Sequence, residues 1–516
     1  FFYVPFRSTS TASLLFMDQP IVFGATRLMG SQIADGVVVQ DTGDGSGLGL
    51  HAARWFRTGD TISREIPLFF MQHNYSASVA PTCLSCGALV GSLREVLGWT
   101  LRVRGKTLGN YVDLLHSGLM DSESLRLAQP VYCPKGCGAV FCSDSCRDQQ
   151  LTRGHHRILC MELPQERVPD WNRFCEHAKC HHDTFILAAQ VIAQVICDVR
   201  QGQESFDHAV SKTTSFFATP WHELPPHDAT NRSSRVAHRF SQLSASLDFL
   251  KHVLRDVGFD ALLELDFYSK LVGLFDLTAV DMSKPHALEK RLRAAAEDTP
   301  PDVQADLRQI AAEWWIHQES AIRKDNDSED SAESSDDEDP PLFLREESFL
   351  PPVEGIAFSR MVALTNHSCF PNVLVDSDDC GCIIEVSALR DIAPGQQLLM
   401  SYGRSTAALG ARQRFLWRDY GFRCLCIKCR GQACEAVLRG VATPELGAPL
   451  EWLNSYAAKY KLSPKRVARD VLQNLPAGAL GGEACVFEIA SDSHKDDGRA
   501  SSGSSSCGEE EFDAPT

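Results

Sequence analysis

Three cysteines at Cys424-x-Cys426-x-x-Cys429 present thiolates at metal-binding spacing and lack a fourth ligand. That deficit constrains the chain most, because the missing ligand has to come from elsewhere in the sequence. The candidate is Cys369, inside the heptapeptide Asn366-His367-Ser368-Cys369-Phe370-Pro371-Asn372. A zinc tied this way clamps the later segment over Asn366 and His367 and closes a cavity between them. Ser401-Tyr402-Gly403 lies between the two halves of the clamp. The stretch from Cys382 to Leu399 reads as β structure broken at Arg390-Asp391-Ile392-Ala393-Pro394-Gly395, a turn in which proline presets φ and glycine tolerates the reversal of the backbone.

A second metal constellation lies nearer the start. Cys83-x2-Cys86 opens it, and after residues 87–132 come Cys133-x3-Cys137-x4-Cys142-x3-Cys146 and His156-x3-Cys160. Eight ligands suit two tetrahedral zinc ions, with His155 as the rival of His156. The chain holds 19 cysteines, and their clustering beside histidines reads as zinc in a reducing compartment rather than as disulfides. Its 516 residues suggest two or three lobes, and 44% hydrophobic residues suffice for a sizeable core. The net charge of −17 argues against sequence-specific nucleic-acid binding and fits basic partners. No stretch approaches the 18 apolar residues of a membrane span.

The order of these fragments, with Tyr402 and then Tyr420-x-Phe422 before the cysteines, resembles the SET domain of protein-lysine methyltransferases. The SET-and-MYND branch is the nearest likeness. The resemblance implies an α+β fold: a β-rich SET core with its pseudoknot, an inserted MYND zinc finger, a helical SET-I insert and a zinc-binding post-SET segment. It pairs the finger's ligands as Cys83, Cys86, Cys142 and Cys146 for one ion, and Cys133, Cys137, His156 and Cys160 for the other. The long gap and the Cys133–Cys137 spacing resemble an atypical branch with an inserted loop. A third zinc falls to Cys369, Cys424, Cys426 and Cys429. The glycine loop around Gly47, Leu48 and Gly49 is similar to one whose backbone approaches S-adenosylmethionine closely. Ser46 and Leu48 stand where many relatives carry a basic or amide side chain, so the expected contacts there are with backbone. Asn366 and His367 would hold the cofactor, Phe422 would stack on adenine or line the channel, and Tyr402 would orient the amine as catalytic residue and touch the cofactor. Tyr420 is expected to pack, and Pro371 and Asn372 to fix the loop.

The expected division is an extension at 1–35, SET parts at 36–82 and 350–405, the finger at 83–160, the helical insert at 161–349, the post-SET segment at 406–430 and a short helical tail at 431–516. Residues 1–16 are rich in Ser and Thr, with one arginine and no acid, which admits a transit peptide or a start at Met17. Val37 to Gln40 reads as a strand and residues 87–130 as a helical insertion. Asp183 to Val199 carries apolar residues at helical spacing. So does the stripe Val236, Phe240, Leu243, Leu247, Leu250 and Leu254, read as core. Cys175, His177, Cys180, His181 and His182 either bind a metal or cap the following helix. Asp276 lies near a position where relatives have a cofactor-binding asparagine. Leu288 to Ala296 and Val303 to Trp315 read as helices broken at Pro300-Pro301. Residues 325–339, almost wholly Asp, Glu and Ser, read as a disordered linker or a tether for a basic tail. No large helical-repeat domain is expected after Cys429, which leaves the substrate groove open.

The resemblance implies methyl transfer from S-adenosylmethionine to lysine in histones, ribosomal proteins or other basic proteins, by a monomer in nucleus or cytoplasm, with proline-containing peptides as partners of the finger. The competing function is a transcriptional scaffold that keeps the finger and has lost activity.

Overall fold

The computed structural model describes residues 21, 23–24, 28–43, 47–224, 232–326, 348–377, 383–403, 405–442 and 446–480. The transit-peptide reading, Ser46 and nearly all of the acidic run lie outside them. Helices and strands are mixed throughout, as an α+β chain requires.

Each of two small sheets is assembled from both ends of the sequence. The strand Thr61–Glu65 pairs with Ile384–Ala388, placing Glu65 opposite Ile384, and Val373–Ser377 forms the far edge. The strand Phe69–Gln72 pairs with Val353–Phe358, whose other edge takes Val280–Lys284. Val353–Phe358 is therefore central, and every residue of it is buried. Everything between residues 73 and 279 is looped out from this junction, so the core closes only when the distant halves meet. A third sheet, Gln32–Ala34, Val37–Asp41 and Leu48–Ala52, contains the expected strand at Val37 and ends on the glycine loop.

The looped-out region is largely helical. Thr184–Arg200 begins one residue later than the sequence suggests and buries 13 side chains, including Phe185, Ile192 and Ile196, so it runs through the interior rather than along it. The helix Arg232–Leu254 buries Leu243, Leu247, Leu250 and Leu254. Phe240, expected in the same core stripe, is 40% exposed, its ring meeting that of His222 edge-on. Residues 87–130 are helical as expected. The helix Leu93–Arg102 starts at Ser92, whose side chain accepts from Glu95 N while Glu95 returns a bond to Ser92 N. With Glu289–Glu297 and Pro301–Asn326 this insertion forms a separate core around Leu97, Leu114, Leu292 and Leu307. Pro301 stands at the first turn of the last helix, where its missing N–H costs nothing. No helix among the described residues is long and apolar enough to cross a membrane.

Candidate methyl-transfer site and metal centres

The twelve metal-ligand candidates gather into three groups: Cys83, Cys86, Cys142 and Cys146; Cys133, Cys137, His156 and Cys160; and Cys369, Cys424, Cys426 and Cys429. Within each group the ligand atoms lie within 4.8 Å of one another. Sulfur pairs stand at 3.6 Å for Cys86–Cys142, 3.8 Å for Cys133–Cys160 and 3.5 Å for Cys369–Cys429. These separations are far beyond a disulfide bond, and they approach the ~3.8 Å edge of a tetrahedron with zinc–sulfur bonds of about 2.3 Å. The donor sets, two of four thiolates and one of three thiolates with an imidazole, fit zinc. His156 Nε2 lies 3.4 Å from Cys133 Sγ, and burial pushes its pKa down to about 4, which keeps the imidazole neutral as a ligand must be. The His155 ring lies outside the group, while its backbone N–H donates to Gln194 Oε1 at 2.9 Å.

The Cys175 to His182 cluster is not brought together as a metal group. The helix Val168–His181 continues through it, His177 Nε2 meets Gln242 O at 2.9 Å, and His182 Nε2 pairs with Asp276 at 3.3 Å. The Asp183 side chain makes no cap to the following helix and instead accepts from Asn74 Nδ2 at 2.6 Å.

The heptapeptide is set beside the tyrosine segment by parallel pairing of Asn366 with Leu399 and His367 with Met400. Asn372 ties the same two segments through its side chain: Nδ2 donates to Gln397 O at 2.8 Å, and Oδ1 accepts from Leu399 N at 2.7 Å. Pro394 and Gly395 form the expected turn, with Gly395 at φ +84°.

Asn366 Nδ2 donates to Leu48 O at 3.0 Å, which joins the heptapeptide to the glycine loop. Gly49 sits at that junction with no room for a side chain. A Cβ there would run into the Gln397 amide and come within 2.9 Å of Asn366 Nδ2. Gln397 Nε2 and His51 Nδ1 are buried nearby and have no hydrogen-bond partner, a state that costs free energy unless a polar ligand completes them. This cradle of close backbone and orphaned polar atoms fits a small polar cofactor such as S-adenosylmethionine. Sequence reasoning missed Gln397 and His51.

His367 is held from both sides. Its Nδ1 accepts from Tyr402 N at 3.0 Å, and its Nε2 lies 3.2 Å from Cys369 Sγ. Accepting at Nδ1 leaves the ring proton on Nε2, aimed at the thiolate. The imidazole thus links the post-SET metal group to Tyr402, and its ring nitrogens are both engaged. Tyr402 donates its hydroxyl to Thr365 O at 3.0 Å, and burial pushes its pKa up to about 12, so it remains a phenol. Its ring centroid lies 4.8 Å from that of Tyr420 and 6.4 Å from that of Phe422. Tyr420, expected only to pack, therefore walls the same aromatic enclosure.

The sequence of residues 221–403 matches the SET domain. The chain is 23% identical over 468 residues to the Arabidopsis thaliana protein named histone-lysine N-methyltransferase ATXR2, covering 78% of this chain and 92% of that one. It is 22% identical over 407 residues to the human protein-lysine N-trimethyltransferase SMYD5, covering 77% and 87%. A shorter stretch of 87 residues is 37% identical to the zebrafish (Danio rerio) N-lysine methyltransferase SMYD2-B, 17% of this chain and 20% of that one. The chain carries a SET domain and is a methyltransferase dependent on S-adenosylmethionine, similar to the SET-and-MYND proteins.

Proposed function

We propose that the chain transfers methyl groups to lysine side chains of histones, ribosomal proteins or other basic proteins, with Tyr402 as the residue that positions the amine. The carrying observation is the enclosure of Tyr402, Tyr420 and Phe422 beside the Gly49–Asn366 cradle. S-adenosylmethionine supplies an electrophilic methyl on a sulfonium, and displacement requires nitrogen, carbon and sulfur in line at near-attack distance. Asn366 and the backbone at Gly47 to Gly49 hold one end of the line, Leu48 giving its carbonyl to Asn366 rather than a side-chain contact. Phe422 closes over it, supported by Cys369, Cys424, Cys426 and Cys429. His367 contributes through backbone and by fixing Tyr402 N, since its ring is engaged elsewhere. The aromatic walls exclude water, and desolvation lowers the pKa of an entering lysine toward the neutral amine that the reaction needs. The Tyr402 ring and hydroxyl face that amine, and no nucleophilic side chain is required.

The negative net charge suits a basic protein substrate, and the finger is read as a separate docking module for proline-containing peptides on a monomeric enzyme in nucleus or cytoplasm. The test is calorimetric titration with S-adenosylmethionine, followed by transfer of labelled methyl to core histones and ribosomal proteins. Binding with transfer supports the reading. Failure to bind the cofactor would leave the scaffold.

A further inference from the structure

The helix Leu409–Tyr420 turns one face toward the third metal group. Leu409, Arg412, Gln413 and Leu416 recur at helical spacing and are all buried. The two leucines share a cluster with Cys369, Cys424 and Cys429. A guanidinium does not belong in such a stripe by hydrophobicity, because burying a charge is costly unless an opposite charge meets it. Arg412 is nevertheless only 4% exposed.

Its contacts name the opposite charge. Nη1 donates to Ala407 O, and Nη2 donates to Gln432 Oε1 at 2.8 Å and to Cys429 Sγ at 3.4 Å. Carbonyl and amide oxygens satisfy donors without cancelling the charge. Among the described residues no carboxylate pairs with Arg412. Of its partners, only the Cys429 sulfur can carry a full negative charge. Gln413 Nε2 donates to Cys424 O at 2.8 Å, so adjacent residues of the helix grip two residues of the metal group. Lys428, between the ligands Cys426 and Cys429, is 8% exposed, donates to Ser405 O at 2.6 Å and also lacks a carboxylate among the described residues. Four thiolates around a divalent zinc leave a double negative charge. Arg412 and Lys428 bring two buried positive charges to the same group.

We propose that Arg412 is a positioning residue for the third metal: it donates to the Cys429 thiolate and supplies a fixed counter-charge to the zinc-loaded group. A hydrogen-bond donor behind a metal ligand orients that ligand, and losing it commonly weakens metal binding by about 10–100-fold. Arginine suits the task because its charge is permanent and its fork holds Ala407 O, Gln432 and the sulfur together. The inference goes beyond the proposed reaction and concerns metal retention, so it stands whether or not the chain methylates lysine.

The test loads the full chain with zinc and titrates it with a competing chelator, counting bound zinc by elemental analysis, for wild type, Arg412→Gln and Arg412→Lys. Cys426→Ser marks the step that belongs to the third group. Arg412→Gln should hold the third zinc about ten-fold or more weakly than wild type and leave the finger's zinc unchanged. Arg412→Lys keeps the charge and should lose less than the glutamine variant. Wild-type affinity for the third zinc in Arg412→Gln overturns the proposal. Equal losses in the two variants also overturn it, by making the shape of the side chain rather than its charge the cause. A parallel loss from the finger overturns it as well, since that reports a general weakening of the fold. If Arg412→Gln does not fold, Arg412→Lys decides. Retention of the third zinc within about ten-fold of wild type supports the counter-charge, and a folded lysine variant that has lost it contradicts the proposal.

Discussion

A single missing methyl group shapes the proposed cofactor cradle at the residue scale. Gly49 has ordinary backbone angles, so alanine would be tolerated by the backbone and opposed only by space. Its Cβ would push Asn366 Nδ2 off Leu48 O. Gly49→Ala should therefore fold as wild type by circular dichroism and bind S-adenosylmethionine about ten-fold or more weakly, a loss near 1.4 kcal/mol. Unchanged affinity would remove the glycine loop from the cofactor site. The sequence made Gly49, Asn366, His367 and Tyr402 legible because they sit in short motifs with fixed order. Gln397, His51 and Thr365 carry no such mark. They matter only because strand pairing sets them beside those motifs. The choice between His155 and His156 was equally hidden, since adjacent residues share a spacing and only the backbone path through Gly154 to Arg157 decides which ring faces Cys133.

The metal groups are expected to act as two modules at the element scale. The finger's eight ligands enclose the hairpin Val131–Tyr132 and Val140–Phe141 and the helix Asp144–Arg153, while the third group fixes Phe422 and, through His367, Tyr402. Elemental analysis should find three zinc ions in wild type. Cys426→Ser should lose one zinc and with it most S-adenosylmethionine binding. Cys83→Ser should lose zinc from the finger and keep cofactor affinity within a few-fold. Equal loss of cofactor binding in both variants would show that the modules are not separate. Thiolate spacing made both modules readable, because metal geometry tolerates few alternatives. Element register was less legible. The stripe from Val236 to Leu254 has the period of a core helix, yet Phe240 is exposed, since periodicity reports a face and not where the neighbouring elements end.

Across the whole molecule, the site exists because segments near residues 49, 366, 402 and 422 converge after the helical insert is looped out. That convergence leaves almost no local signal: nothing in Thr61–Glu65 names Ile384–Ala388 as its partner. The helix Pro301–Asn326 runs up to the acidic segment. Deleting residues 327–339 should leave thermal stability and cofactor affinity nearly unchanged, since a run of this composition contributes little to a core. If the run tethers basic substrates, the deletion should also raise KM, by a factor that shrinks as salt is added, because exposed charges are screened over about 8 Å at physiological ionic strength. A KM that is flat across salt in both proteins would make it a linker only. The central claim is that Tyr402 positions the amine during transfer, and Tyr402→Phe tests it most directly. The change removes the hydroxyl that donates to Thr365 O and keeps the ring against Tyr420. An interaction used mainly in the transition state appears in kcat rather than in binding. The variant should retain three zinc ions, bind S-adenosylmethionine within a few-fold of wild type and turn over roughly a hundred-fold or more slowly, a loss of about 3 kcal/mol. Transfer at the wild-type rate, with the same distribution of methylated products by mass spectrometry, would contradict the account.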